Sequence, residues 1–356
     1  LAPDCHALAV RDVSRKENTV HVRTLTRAAA ASLTALLGGA AALALPGTAQ
    51  AAELPVASPL AAPLASPLAA PLAAPLAASA RAAAGVHGLP VLIAHRGASG
   101  YAPENTLAAV DRADRMGIDW VENDVQRTKD GELVIVHDDS LARTTNVEKV
   151  FPKRSPWKIK DFTAAEIRRL DAGSWFGPAF AGARVPTLKQ YLNRVDKNRQ
   201  KLLMEVKNPA LYPGIEKDIV RVLRQQGWLD RAHLRGGLVV QSFGADSVRA
   251  VHSLVPAVTT GFLGTPAVAE LPRYAAYTDQ INPQHGTIDA AYVAAVHRLK
   301  GAHGKRLQVN TWTVDDAVNA KKVRGFGVDG VISNRPDVVR GAWVGRSAAV
   351  AAPAAG

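Results

Sequence analysis

Val91-Leu92-Ile93-Ala94-His95-Arg96-Gly97 and, further on, Leu133-Val134-Ile135-Val136-His137-Asp138 share one grammar: a short apolar run that ends abruptly in a histidine and a charge. A run of four apolar, largely β-branched residues reads as a strand buried on both faces, as in a parallel sheet under helices. Polar groups at the end of such a strand are costly unless they are paired, metal-bound or catalytic. The same alternation continues outward. It predicts strands at 91–95, 120–127, 133–137, 201–207, 237–242, 259–263, 280–282, 307–313 and 329–332. Helical periodicity lies between most of them, at 106–116, 187–197, 213–226, 245–254, 267–277, 289–300 and 315–325. This βαβα rhythm predicts an α/β fold, a (β/α)8 barrel of the TIM type. A doubly wound open sheet is the alternative, because periodicity does not say whether a sheet closes. No Gly-x-Gly-x-x-Gly follows the first strand, which counts against a dinucleotide site.

Two segments break the rhythm. Lys129-Asp130-Gly131-Glu132 separates two strands, and Asp-Gly is a signal for a two-residue hairpin turn. With Asp130 and Gly131 as the turn, Lys129 pairs with Glu132 and Asp124 lies opposite His137. Glu122 shares the face of Asp124, because strand side chains repeat every two residues. Residues 141–186, with one short helical pattern at 163–170, then read as an insertion after this second-strand hairpin, covering the mouth of the site.

The chemistry-bearing residues cluster accordingly. His95 and His137 can divide the work of general acid and base, and closely spaced Glu122 and Asp124 can hold a hard divalent cation. Glu205 and Lys207 share a strand face, either as a structural ion pair or as a metal ligand beside a phosphate contact. Three carboxylates from neighbouring strands suit Ca2+ or Mg2+. Together these groups suit phosphate-ester chemistry. Gln241 and Trp312 end strands, where each either lines a substrate pocket or fills the barrel. His297 reads as a surface residue of a helix, and His285 is given no role.

The flanks read differently. Arg23 and Arg27, the apolar run Ala28–Leu45 and Ala49-Gln50-Ala51 form a secretory signal pattern, so 1–51 is read as a pre-region with a signal peptide and the protein as secreted. Residues 1–22 look like an over-extended start ahead of it. Prolines at 59, 63, 67, 71 and 75 forbid a regular helix, so 52–84 is read as an extended linker. The folded domain is set at 85–345 and a disordered tail at 346–356. The single cysteine, Cys5, leaves no disulfide framework and no cysteine-based zinc site. The formal charge of +12 comes from scattered Lys and Arg without interleaved aromatics. That reads as a solvated basic surface, suited to anionic substrates and to transient contact with anionic lipid or a cell surface, rather than as a nucleic-acid groove. No obligate protein partner is evident.

In their order, His95-Arg96-Gly97, Pro103-Glu104-Asn105-Thr106, Glu122-x-Asp124, Lys129-Asp130-Gly131, His137-Asp138, Glu205-x-Lys207 and the closing Arg335-Pro336-Asp337 resemble the glycerophosphodiester phosphodiesterase family. The resemblance runs from about Leu92 to Val339. It implies a TIM-type barrel with its site at the C-terminal ends of the strands. It implies that Glu122, Asp124 and Glu205 bind one divalent cation, that His95 and His137 are the acid–base pair, and that Arg96 and Lys207 contact phosphate. Glu104 would orient Arg96 and the first loop. The implied reaction is metal-dependent hydrolysis of small glycerophosphodiesters to sn-glycerol 3-phosphate and an alcohol. Two positions depart from the family pattern: Asn123 stands where an apolar residue is usual, and Asn334 where aspartate is common. A rival reading is a lysophospholipase D or cell-surface glycerophosphodiester hydrolase, its acyl groove drawn from Trp157, Phe162, Trp175, Phe176 and Phe180. Another is a non-catalytic protein that binds phosphorylated ligands. The alcohol, the choice of cation and the division of labour between the histidines stay open at this level.

Overall fold

The computed structural model describes residues 88–344. The signal (1–51), linker (52–84) and tail (346–356) assignments lie outside the described residues. The strands are β1 (Val91–Ala94), β2 (Trp120–Arg127), β3 (Leu133–Ile135), β4 (Lys201–Val206), β5 (Leu238–Ser242), β6 (Thr259–Leu263), β7 (Gln280–Asn282), β8 (Gln308–Thr311) and β9 (Gly330–Ser333). Eight of them form a parallel sheet in the order β1-β9-β8-β7-β6-β5-β4-β2, and pairing of β1 with β2 closes it. β3 hangs antiparallel on β2. The fold is a (β/α)8 barrel, and the open-sheet alternative falls with the closure.

The outer ring is α1 (Leu107–Arg115), α2 (Leu188–Lys197), α3 (Ile215–Gln225), α4 (Ala245–Leu254), α5 (Leu271–Ala275), α6 (Ala290–His297), α7 (Ala317–Phe326) and α8 (Pro336–Val344). α1 and α2 start at threonine caps, and α6 and α7 at aspartate caps, as their backbone geometry favours. The pattern expected at 267–277 is split into a 3-10 turn (Val268–Glu270) and the short α5. The sequence reading did not include α8. It opens on Pro336, buries Val339 and Trp343, and Trp343 Nε1 donates to the Ala320 carbonyl at 3.0 Å. None of the described helices is long and apolar enough to cross a membrane.

The hairpin differs from the expected register by one residue. Val125 pairs with Ile135, Gln126 with Val134 and Arg127 with Leu133, and the Thr128 amide donates to the Glu132 carbonyl. The loop is therefore Lys129-Asp130-Gly131, with Gly131 in the left-handed region at φ +88°. Thr128 Oγ1 donates to Asp130 at 2.6 Å and accepts from the Glu132 amide at 3.0 Å, which closes the three-residue form. Asp124 consequently faces Val136, whose N–H donates to the Asp124 carbonyl at 3.0 Å, rather than His137.

Four apolar clusters hold the domain together. Large cores lie between the barrel and its helices. A small one, Ile93, Leu203, Val239 and Ile332, packs against Trp120 and Trp312. The insertion has a core of its own, including Leu141, Ile159, Phe162, Ile167 and Leu170, joined to Val134 and Val136 of the hairpin. The far side of the barrel interior is filled by amides instead. Asn282 Nδ2 donates to Gln241 Oε1 (2.8 Å), Asn310 Nδ2 to Gln280 Oε1 (2.8 Å) and Gln280 Nε2 to Gln308 Oε1 (3.1 Å). Gly261 in β6 and Gly330 in β9 make the room, since a Cβ at either would collide with Asn282 or Asn310.

Candidate active site

The parallel register assembles the carboxylates. Glu122 and Asp124 alternate onto the same face of β2, and Asp124 stands beside Glu205 of β4, which stands beside Gln241 of β5. One oxygen from each of Glu122, Asp124 and Glu205 lies within 4.8 Å of the others, and all three residues are buried. Arg96 Nε is 3.4 Å from Asp124. Lys207 Nζ is 2.9 Å from Glu205 and 3.6 Å from Asp124. Asn105 Nδ2 donates to Asp124 at 2.8 Å.

Burial pushes Glu122 well above the usual carboxylate range, and the charges of Asp124 and Glu205 add to it. Burial and Asp124 likewise push Glu205 up to about 8. Burial acts on Asp124 in the same sense, yet Arg96 and Lys207 outweigh it and hold that carboxyl below its ordinary value. Three buried carboxylates against two cations are thus short of positive charge, and Asp124 Oδ1 has no hydrogen-bond partner. An all-oxygen donor set with this deficit fits a hard divalent cation.

The two histidines are held by different partners. β1 ends at Ala94, and the next residue, His95, keeps the ladder by donating its N–H to the Ser333 carbonyl at 2.9 Å. Its Nδ1 lies 2.7 Å from Asn334 Oδ1. Asn334 Nδ2 donates to the Asp315 carboxylate at 2.6 Å, and Ser99 Oγ donates to Asn334 Oδ1 at 2.7 Å. The amide oxygen must therefore face His95, so Nδ1 carries the proton and the Nε2 lone pair points into the site, 4.0 Å from Glu122. Burial, then the adjacent Arg96, pull the His95 pKa down to about 4.

His137 arrives because the chain bends just after β3, not by cross-strand pairing. Its Nδ1 is 2.7 Å from the Asp138 carboxylate. Asp138 in turn accepts from Arg143 Nε at 2.6 Å, and this bond holds its pKa down to about 2. Arg143 also forks onto Glu104 with two bonds of 2.8 Å, and Glu104 accepts from Arg96 Nη1 at 2.8 Å. A continuous chain of charges thus links Arg96, Glu104, Arg143, Asp138 and His137. Burial lowers the His137 pKa, while Asp124 and Asp138 oppose it.

These groups surround a cavity of about 190 Å3 at the C-terminal ends of the strands. His95, Arg96, Glu122, His137, Glu205 and Lys207 form one wall, and Gln241, Phe243, Leu263, Trp312 and Ile332 the other. Gln241 and Trp312 both line the cavity and tie into the barrel: Gln241 accepts from Asn282, and Trp312 Nε1 donates to the Asn282 carbonyl at 2.8 Å. Asp124 sits against this wall, bonded to Arg96 and Lys207, and Glu104 stands behind Arg96.

The family model for the glycerophosphoryl diester phosphodiesterase family matches residues 95–338, from His95 to the start of α8. The chain belongs to this family. It is an enzyme, a hydrolase of phosphoric diesters. The glycerophosphodiester phosphodiesterase of Bacillus subtilis is 34% identical over 260 residues, 69% of this chain and 84% of its own. That of Caldanaerobacter subterraneus is 34% identical over 251 residues, 70% of this chain and 96% of its own. Among solved structures, an Oleispira antarctica phosphodiesterase in complex with the product sn-glycerol-3-phosphate is 31% identical, with a TM-score of 0.62. The match covers 72% of this chain and 97% of that one.

Within this phosphodiesterase, several site groups escaped the sequence reading. Asn105 stood inside a quoted motif without a role, although it donates to Asp124. Phe243, half exposed, meets Trp312 edge-on at 5.7 Å and frames the mouth. Arg143 stands only five residues from Asp138 but 39 from its second partner, Glu104, and no periodicity marks either contact. Trp157, Phe162, Trp175, Phe176 and Phe180 do not line the cavity. Phe162 is buried in the insertion, and Trp175, Phe176 and Phe180 pack edge-on against one another. His297 is not a plain surface residue: its Nε2 is 2.8 Å from Asp329, and its side chain is 17% exposed.

Proposed function

We propose that the protein hydrolyses glycerophosphodiesters to sn-glycerol 3-phosphate and an alcohol, using a divalent cation, Ca2+ or Mg2+, held by Glu122, Asp124 and Glu205. The observation that carries this reading is the pair of histidines facing one cavity across a charge-deficient carboxylate triad. The product bound to the Oleispira antarctica relative supports the choice of substrate.

In this reading Arg96 and Lys207 seat the phosphodiester and offset charge building on its non-bridging oxygens. A divalent cation held by Glu122, Asp124 and Glu205 would supply Lewis-acid stabilisation of the charge that builds there. His95, whose Nδ1–H is committed to a neutral amide, presents a bare Nε2 and acts as the general base. It takes the proton of the neighbouring glycerol hydroxyl as that oxygen bonds to phosphorus. His137, whose Nδ1 faces a carboxylate, is the imidazole that carries positive charge at lower cost. It donates the Nε2 proton to the departing alcohol oxygen as the phosphorus–oxygen bond breaks. The resulting cyclic phosphate is opened by water, with His137 now the base and His95 the acid. Phe243, Leu263 and Trp312 offer an apolar wall to the carbon skeleton.

The leader-like pattern at 23–51 supports export, with 52–84 as a spacer and 85–345 as the catalytic domain, so the proposal extends to a secreted enzyme that meets its substrate outside the cell. A lysophospholipid substrate is the second reading, favoured by the exposed ring of Phe243 at the mouth. The test is release of sn-glycerol 3-phosphate from glycerophosphocholine by the purified protein, after chelation and after adding back Ca2+ or Mg2+. Metal-restored release that His95→Ala and His137→Ala abolish is expected. Near-normal turnover in both variants would overturn the acid–base assignment, and preference for lysophosphatidylcholine would favour the second reading.

A further inference from the structure

The barrel has a second cavity, at the end opposite the chemistry. Its volume is about 520 Å3, well above that of the catalytic cavity. Residues at or just before the starts of the strands line it, among them Val91, Trp120, Thr259, Gln280 and Gln308. Ile93, Leu203 and Val239, three of the four residues of the small barrel core, form its floor and separate it from the site above.

The charges around this cavity do not balance. Asp279 and Asp329 line it, but both are already matched. Asp279 is bonded by the amide and the ring of His303. Asp329 is bonded by His297, by Arg306 and by the Val309 amide. Arg235 and Lys305 also line it, and neither has an acidic partner or a side-chain hydrogen bond among the described residues. A further cation, Lys201, holds its Nζ 5.7 Å from the centre of the Trp120 ring. The cavity therefore joins an apolar and aromatic floor to a rim with unspent positive charge. Arg235 and Lys305 are exposed, so water screens them, but an anion seated between them is attracted by both. The volume falls within the roughly 300–1,000 Å3 of small-molecule sites. The lining is amphiphilic, with Val91, Ile93, Trp120, Leu203 and Val239 on its apolar side and charged and amide groups on the other.

We infer that this cavity binds an amphiphilic organic anion, with its apolar body on Trp120 and the aliphatic floor and its anionic head between Arg235 and Lys305. The site is one of binding and not of turnover, because the groups placed in the catalytic machinery lie beyond the floor. It stands independently of the reaction proposed above.

The test uses the purified full-length protein and 8-anilinonaphthalene-1-sulfonate as the probe, followed by fluorescence and by equilibrium dialysis. Decanoate and decanol then serve as competitors of equal chain length, one anionic and one neutral. Ala257→Trp places a large ring in the cavity from an exposed wall position, and Arg235→Glu with Lys305→Glu reverses the rim charge. Saturable binding of one probe per chain is expected, displaced by decanoate in preference to decanol. It should be lost in Ala257→Trp and weakened about tenfold or more by the charge reversal. Both variants should keep the circular dichroism spectrum of the wild type and a cooperative melt, which shows that they fold. Absence of saturable binding, or binding equal to wild type in Ala257→Trp or in the charge-reversed variant, would overturn the inference.

Discussion

Asn334→Leu is expected to disable His95 without disturbing substrate binding. The substitution keeps the size of the side chain but removes the oxygen that accepts the Nδ1 proton at 2.7 Å. That proton is then without an acceptor in a side chain only 16% exposed, at a cost of roughly 1–3 kcal/mol. The ring escapes this cost by moving its proton to Nε2, where Glu122 lies 4.0 Å away, and the lone pair needed for catalysis then points backwards. Loss of a positioned general base is worth about 10²–10⁴-fold in rate. The loss should fall on kcat, with KM little changed, because Arg96 and Lys207 are untouched. Asn334→Asp separates orientation from mere packing. It sets a second carboxylate against Asp315 where the amide donor now sits at 2.6 Å. At an effective dielectric near 20 the repulsion is about 6 kcal/mol, so the pair takes up a proton. A shared proton restores the amide's pattern, one oxygen accepting from His95 and one hydroxyl donating to Asp315. This variant should therefore work near neutral pH and fail in alkali. Steady-state kinetics from pH 6 to 9, with a melting curve for each variant, would decide the matter. If Asn334→Leu keeps most of its kcat, or Asn334→Asp is equally dead at pH 6, the orientation argument is wrong.

Asn123 is wholly buried and neither of its amide atoms has a hydrogen-bond partner, so Asn123→Leu should stabilise the fold by about 1–3 kcal/mol. Each kcal/mol should raise Tm by roughly 2–4 °C with turnover retained, and a lower Tm would refute this. Arg143→Gln frees Asp138 and Glu104. Since Arg143 depresses the Asp138 carboxyl, its contribution to stability is complete above the ordinary aspartate value and fades as pH falls towards about 2. Urea midpoints should therefore be lower in the variant at pH 5–7 and converge with wild type in acid; a gap that stays constant down to pH 2 would count against the mechanism. Ca2+ or Mg2+ at roughly 100 times its Kd should stabilise the chelated protein by about 2.7 kcal/mol. In Glu205→Gln that increment should shrink, as read by calorimetry, and an undiminished increment would remove Glu205 from the ligand set.

The strands were legible because each is a short β-branched run bounded by turn residues, and their alternation placed Glu122 and Asp124 on one face without any tertiary knowledge. The hairpin was legible as a hairpin but not in register. Asp130-Gly131 announces a turn, while the Thr128 hydroxyl, bonding Asp130 and the Glu132 amide, selects the three-residue form. His137 still reaches the cavity, by a bend that no pairing rule describes. Arg143 and Asp315 were silent for another reason. Arg143 is near Asp138 in sequence, but Glu104 lies 39 residues away and Asp315 meets Asn334 over 19, pairs that only the closed barrel and the insertion bring together. The amides Gln280, Asn282 and Asn310 look out of place in a parallel barrel until Gly261 and Gly330 are seen to leave the space opposite them.

The insertion after the hairpin has an apolar interior of its own, yet it delivers one side chain, Arg143, to the carboxylates that steady His137 and Arg96. A segment built this way behaves as a cassette with a single electrical terminal. An exchange of the insertion that drops this terminal would free Asp138 and so change the surroundings of His137, which Arg143 never touches.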